Sequence, residues 1–177
     1  MARTSVTTSK IQRELQQKKP FATPAAEAGV ALLRTSDLLQ RRLAATVEPH
    51  GITVQQYNVL RILRGAHPEV VPTLEIATRM IEQAPGITRL LDRLEAKKLI
   101  ERSRCRLDRR RVLCSISKSG LALLATLERP MSGSLAATFA ALSDAETRSL
   151  IRLLDALRDS LNPESVSPTQ NSKEKSK

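Results

Sequence analysis

The sequence predicts a mostly α-helical chain carrying one small β-hairpin. Three observations lead there. Leucine, isoleucine and valine recur at three- and four-residue steps through most of the chain, which is the spacing of helices with one apolar face. Breaker residues such as Pro49-His50-Gly51 fall between the periodic segments rather than inside them. One short region, 99–116, instead alternates in twos: Val112, Cys114 and Ile116 share one face of an extended segment, across from a run of arginines.

The elements follow in order. Residues 1–24 are polar and basic, with Arg3, Lys10, Arg13, Lys18 and Lys19 opposed by Glu14. They are expected to form a disordered tail; a DNA-touching arm is the alternative, and Ile11–Lys19 has the makings of a short, weak helix. Residues 25–47 read as a helix, with Val30, Leu32, Leu33, Leu38, Leu39, Leu43 and Val47 on its apolar side and Arg34, Asp37, Arg41 and Arg42 between them. Thr53 starts the next helix: Thr53 and Gln56 have the spacing of a capping box, and Ile52 and Tyr57 that of a hydrophobic staple. Val54, Tyr57, Leu60, Ile62 and Leu63 supply its apolar face, and it ends near Gly65. Residues 66–72 are a loop in which Val70-Val71 is placed to add a short strand to the later hairpin. Thr73 is expected to cap a short third helix, with Glu75 near its positive end and Leu74, Ile76, Ala77, Met80 and Ile81 buried.

Residues 84–116 carry the chemistry. Pro85 suits the first turn of a helix, where its missing N–H costs little. Ile87, Leu90, Leu91 and Leu94 form a buried stripe, leaving Pro85, Gly86, Thr88, Arg89, Asp92, Arg93 and Ala96 on the outer face. Two strands follow, 99–105 and 111–116, around the basic tip Arg104-Cys105-Arg106-Leu107-Asp108-Arg109-Arg110. Arginines crowded at a hairpin tip repel one another, so they make sense beside a row of phosphates or in the electronegative minor groove. A short helix, a second helix and a basic hairpin are the outline of a winged helix-turn-helix, with the second helix suited to the major groove.

Ser117 is the expected cap of the next helix, lined by Leu121, Leu123, Leu124 and Leu127; Pro130 and Gly133 interrupt or kink it before the pattern resumes through Leu135 and Phe139. Ser143 and Glu146 form a second capping box ahead of a last helix bearing Leu150, Ile151, Leu153, Leu154, Leu157 and Leu161. Residues 162–177 are Ser-, Pro- and Lys-rich and expected to be disordered.

Composition narrows the partners. A formal net charge of +11 points to a polyanion, with a ribosome-associated or merely soluble basic protein as the alternative. Aromatics make up 2% of the chain and none lies in the basic stretch, which argues against single-strand stacking and for duplex DNA. Cys105, Cys114, His50 and His67 show no metal-type spacing, so neither a metal nor a cofactor is expected. No apolar run reaches the ~20 residues of a membrane span and there is no secretory h-region, so a cytoplasmic location is expected. No nucleophile pairs with a base and no glycine-rich phosphate loop occurs, so an enzyme is the poorest reading.

Taken together, these residues resemble the MarR family of bacterial transcriptional regulators. The resemblance rests on Ile52-Thr53 with Tyr57 and Leu60, on the helix 87–95 (ITRLLDRLE), on Leu99-Ile100-Glu101-Arg102, on Asp108-Arg109-Arg110, and on Ile116-Ser117 followed by Gly120. It spans residues 25–161, with a DNA-binding lobe at 52–116 and dimerisation helices at 25–48 and 117–161. It implies a homodimer on a pseudo-palindromic operator, most simply a ligand-responsive repressor. Recognition-helix contacts would come from Thr88, Arg89 and Arg93, and wing contacts from Arg106, Asp108, Arg109 and Arg110, with Arg110 in the minor groove and Asp108 orienting it. It also implies a pocket for a small aromatic or phenolic effector, with Tyr57 and residues 38–42 as neighbours. The chain departs from the family pattern at Lys98, where a glycine usually ends the recognition helix, and at Lys118-Ser119, where a proline is common.

Two other readings use the same residues. Cys105, among Arg102, Arg104 and Arg106, has the surroundings of a reactive thiol, so a redox-sensing regulator is one alternative and a plain exposed cysteine the other. A hairpin centred near Leu107-Asp108 pairs Cys114 with about Arg102, which disfavours a Cys105–Cys114 bridge. An architectural or protein-binding module without sequence choice also fits the arginines of the wing.

Overall fold

A computed structural model describes residues 8–82, 86–105 and 107–161. Its helices are α1 Lys10–Glu14, α2 Pro24–Val47, α3 Val54–Ala66, α4 Thr73–Arg79, α5 Ile87–Ala96, α6 Lys118–Phe139 and α7 Asp144–Leu161. Its strands are β1 Val71–Pro72, β2 Ile100–Arg104 and β3 Val112–Ile116. The fold is therefore mostly helical with a small antiparallel sheet, as the sequence predicts. No helix among the described residues is long and apolar enough to cross a membrane.

Local chemistry sets most boundaries. Thr23 caps α2 by accepting the Ala26 N–H at 3.1 Å, with Pro24 in the first turn. The capping box of α3 is complete: Thr53 Oγ1 accepts the Gln56 N–H at 3.2 Å, and Gln56 Oε1 accepts the Thr53 N–H at 3.1 Å. Ser117 Oγ accepts the Gly120 N–H at 3.0 Å to start α6. The Ser143–Glu146 box starts α7, and the Ser143 hydroxyl and backbone N–H, both donating to Glu146 Oε2, hold that carboxyl below the usual carboxylate range. The N-terminal segment, expected as a tail, carries the short α1, where Ser9 caps and the buried Gln12 donates its side-chain amide to Gln17 O at 3.2 Å.

Several expectations are corrected. Thr73 does not cap α4; Pro72 holds that position, and Thr73 Oγ1 donates to Val112 O at 3.2 Å, tying α4 to β3. Leu74 is 79% exposed, and Ile81, which lies past the end of α4, is 83% exposed; Ile76 is the buried residue of the helix, and Met80 just beyond it packs against the core. Of the two readings of Pro130 and Gly133, interruption or kink, the helix itself is not interrupted: α6 runs through both to Phe139. Pro130 and Gly133 are exposed, so the backbone bond that proline forfeits faces solvent rather than the core.

The sheet order is β1-β3-β2, all antiparallel. Val71 pairs with Cys114, so the predicted extra strand forms, and Arg102 pairs with Cys114 in the hairpin. The core joins Val47, Val59, Leu60, Leu63, Ile76, Leu91, Leu94, Ile100, Cys114, Leu124 and Leu127, so α5 and the hairpin rest on one apolar floor. Two compact units divide the chain, Met1–Ser134 and Leu135–Lys177, with α6 beginning in the first and ending in the second. In the second unit no residue of α7 is buried.

The turn from α5 into β2 explains the departure at Lys98. Lys98 adopts φ 57°, the left-handed region that a glycine there would occupy without strain. Its N–H donates to Glu95 O at 2.7 Å, and the Leu99 N–H donates to Leu94 O at 3.0 Å. That pair of bonds is a Schellman motif, completed by the buried Leu94 and Leu99 side chains.

Candidate nucleic-acid interface

α5 presents the outer face that the sequence predicts. Leu91 and Leu94 are fully buried, Ile87 and Leu90 half-buried, and Thr88, Arg89, Asp92 and Arg93 exposed. Gly86 stands at the N-cap with φ 96°, a conformation that favours glycine, and the Leu90 N–H donates to its carbonyl at 3.3 Å. The first N–H groups of α5 lack helical partners, so this end of the helix favours anions. Pro85 and Arg106, two of the predicted contact residues, lie outside the described residues.

The wing is held by its own backbone. The Cys105 N–H donates to Arg111 O and the Arg111 N–H to Asp108 O, both at 3.0 Å. The Asp108 carboxylate accepts the Arg110 backbone N–H at 3.0 Å. Among the described residues, this backbone N–H rather than an arginine side chain is the partner of the Asp108 carboxylate. An aspartate is short enough to reach the backbone two residues on, and that local bond fixes the loop. The side chains of Arg109, Arg110 and Arg111 are left exposed. The Cys105 thiol is pushed below the ordinary thiol range by the Asp108 and Leu107 N–H groups, with a further contribution from Arg111. Burial pushes the Cys114 thiol up.

Helix and wing meet at one cleft of roughly 460 Å³, lined among others by Thr73, Leu74, Thr88, Arg102, Arg110 and Arg111. It brings together Thr88 and Arg110, which the sequence assigned to different grooves. Arg89, Arg93 and Arg109 are exposed but do not line it.

Asp92 lies on the exposed face of α5, as expected, and also has an ion-pair partner. Its carboxylate pairs with Arg102 at 2.7 Å, and the same guanidinium pairs with Glu95, Nε donating to Oε2 at 2.8 Å. Arg102 is only 22% exposed, and its hydrogen bond to Glu95 raises its pKa above the usual arginine value against the cost of burial. Asp92 thus helps anchor β2 to α5 while its side chain stays 52% exposed on the outer face. Sequence reading missed Arg102, although its parity with Ile100 on the inner face of β2 carried a signal: an arginine there needs carboxylates.

A second cleft, of roughly 280 Å³, is lined by residues that include Asp37, Gln40, Arg41, Thr53, Gln55 and Glu82. Gln40 and Gln55 both donate to the Glu82 carboxylate, the latter at 3.2 Å. Of the predicted effector neighbours, Gln40 and Arg41 line this cleft, whereas Tyr57 packs against the core.

Comparison with known proteins agrees with this geometry. A MarR family model matches residues 50–111, which include α3, α4, α5 and the wing tip. No curated protein sequence matches the chain. Among solved structures, a MarR transcription factor from Planctomyces limnophilus is 37% identical, over 77% of this chain and 99% of its own, with a TM-score of 0.61. BpsR of Bordetella bronchiseptica, described for regulation of its DNA binding by 6-hydroxynicotinic acid, is 26% identical over 75% of this chain and 99% of its own, with a TM-score of 0.66. Sco3205 of Streptomyces coelicolor, a MarR family regulator solved with DNA, is 18% identical over 83% of this chain and 94% of its own; its TM-score of 0.73 speaks to the fold. With the fold, the arginine-lined cleft and the Planctomyces limnophilus relative, 37% identical over 77% of this chain, in agreement, the chain belongs to the MarR family of winged-helix, DNA-binding transcription regulators.

Proposed function

We propose that this protein is a homodimeric, sequence-specific repressor that occupies a pseudo-palindromic operator. The observation that carries the reading is the cleft shared by Thr88 of α5 and Arg110 of the wing. One flank is an exposed helix face able to reach base edges, and the other is a row of exposed arginines able to reach phosphates and the minor groove. Thr88, Arg89 and Arg93 are the base-reading candidates, and Arg109 and Arg110 the wing contacts.

The dimer is supported by apolar surface left uncovered in the single chain. α2 exposes Leu32, Leu33 and Leu38, and α7 exposes Ile151, Leu153, Leu157 and Leu161. Helices with this much exposed leucine and isoleucine gain by association. Two copies related by a two-fold axis present two recognition helices to half-sites about one helical turn apart. A dimer seated there represses by excluding other proteins from the site.

An effector is the second part of the reading, supported by the cleft at Glu82, where polar groups stand beside a mostly apolar lining. Such a lining suits a small ligand that joins an apolar body to hydrogen-bonding groups, as an aromatic or phenolic effector does. A ligand acts there by binding the DNA-competent and DNA-incompetent states unequally.

The test is a duplex-binding titration at several salt concentrations. If a dimer neutralises ~6–10 phosphates, affinity falls roughly 10³–10⁵-fold between 50 and 200 mM salt. A salt-insensitive or undetectable interaction with duplex DNA overturns the proposal, and a monomer in sedimentation at micromolar concentration overturns its dimeric part.

A further inference from the structure

Leu107 stands at the apex of the wing and is 99% exposed, the highest exposure of any large hydrophobic among the described residues. It differs in setting from the exposed apolar side chains of α2 and α7. The leucines of α2 and α7 line long helices, whereas Leu107 sits in a tight loop whose exposed neighbours are Asp108, Arg109 and Arg110. The fold gains nothing from a leucine there, because the side chain touches no core.

The frame around it is fixed without its help. Cys105, Asp108, Arg110 and Arg111 close the loop through backbone groups and the Asp108 carboxylate. Leu107 uses its own N–H toward the Cys105 sulfur. Its isobutyl group is therefore carried outward on a loop already ordered, and little flexibility is lost when it meets a surface.

We propose that Leu107 is a DNA-contacting residue that packs its apolar side chain into the minor groove, beside the arginines of the wing. This inference rests on the DNA-binding reading above. The walls of a minor groove are largely the C–H faces of deoxyribose, and apolar side chains are used there as wedges against sugars and base steps. Arginines supply attraction to the groove but release counterions as they do so. Leucine supplies contact by excluding water, which leaves the ion count unchanged. The wing thus combines a salt-dependent and a salt-independent contact at one point.

That division gives the experiment its readout. Full-length wild type, Leu107→Gln, Leu107→Met and Arg110→Ala are titrated with one duplex selected by the wild type, between 50 and 200 mM salt. Leu107→Gln keeps size and removes apolarity; it weakens binding roughly 3- to 10-fold at every salt, with an unchanged slope of log K on log salt. Leu107→Met keeps apolarity and binds within about twofold of wild type. Arg110→Ala removes one arginine from each protomer, so it weakens binding and flattens the slope by about two. Thermal unfolding midpoints of the two Leu107 variants match wild type. Leu107→Gln binding as wild type does, or Leu107→Met losing as much as Leu107→Gln, overturns the proposal while leaving DNA binding standing. A wild type that binds no duplex overturns the DNA-binding reading itself.

Discussion

The Asp108 carboxylate accepts the backbone N–H of Arg110 at 3.0 Å and so shapes the wing without neutralising it. The two roles make opposite predictions. As a negative charge beside phosphates, Asp108 repels DNA, and its removal would tighten binding. As the acceptor that sets the turn, it orders the arginines, and its removal weakens binding. The geometry favours the second. Asp108→Ala is expected to raise Kd roughly fivefold, the equivalent of about 1 kcal/mol for one lost hydrogen bond. Asp108→Asn keeps the acceptor and sheds the charge, so it binds at least as tightly as wild type. Fluorescence anisotropy on one duplex separates the cases; tighter binding by Asp108→Ala contradicts the turn assignment.

Lys98 carries strain that a glycine would relieve. A non-glycine residue in the left-handed region costs about 1–2 kcal/mol, part of which glycine returns as unfolded-chain entropy. Lys98→Gly is therefore expected to stabilise the protein by about 0.5–1 kcal/mol, and Lys98→Ala to give no gain. Urea unfolding monitored by circular dichroism measures both, and equal effects of the two substitutions would show that φ 57° is not the reason.

Gly120 is the reverse case. A Cβ there would stand 2.2 Å from Leu99 O and 2.8 Å from the Ile116 side chain, where α6 crosses the end of the hairpin. The Leu99 carbonyl is already engaged by the Ser117 N–H at 3.1 Å, and Ser117 Oγ donates to Lys98 O at 2.7 Å, so the backbone has little room to yield. Gly120→Ala is expected to destabilise by about 1–3 kcal/mol or more, read by the same unfolding experiment; a loss under 0.5 kcal/mol, on the order of a surface substitution, would contradict the close approach.

The two cysteines are expected to differ in reactivity. Backbone N–H groups lower the Cys105 thiol pKa, so its thiolate fraction rises at lower pH than that of an ordinary thiol. Cys114 is fully buried and its thiol is shifted the other way. Iodoacetamide followed by peptide mass spectrometry should modify Cys105 first, with its rate levelling off at lower pH than free cysteine, and Cys114 only on unfolding. Equal rates at the two sites would refute this. Their register, with Cys114 opposite Arg102, places Cys105 beyond the paired strands.

Much of this arrangement was legible in the sequence because it is local. Capping boxes at Thr53–Gln56 and Ser143–Glu146, the Ser117 cap and the outer face of α5 each depend on residues a few positions apart. The hairpin register was legible too, since a tip at Leu107-Asp108 fixes which residues face each other. What escaped depends on distant partners. Periodicity placed Leu74 and Ile81 on the inner side of α4, but only the tertiary packing decides which turns of a short helix are covered. Thr73 looked like a cap until the Val112 carbonyl was there to accept from it. Arg102 and Asp92 lie in different elements, so the periodicity of neither element shows their pairing. Lys98 appeared as a misfit because sequence shows the residue type and not the φ angle that it has to tolerate.

The central claim, that α5 and the wing together read a two-fold symmetric site, is tested most directly by selecting bound duplexes from a random pool at fixed salt. The account predicts a palindromic consensus with half-sites centred about one helical turn apart. In a parallel selection with Arg89→Ala, base preference should relax within each half-site and leave the spacing unchanged. A pool that yields no consensus, or a single asymmetric site, would contradict it.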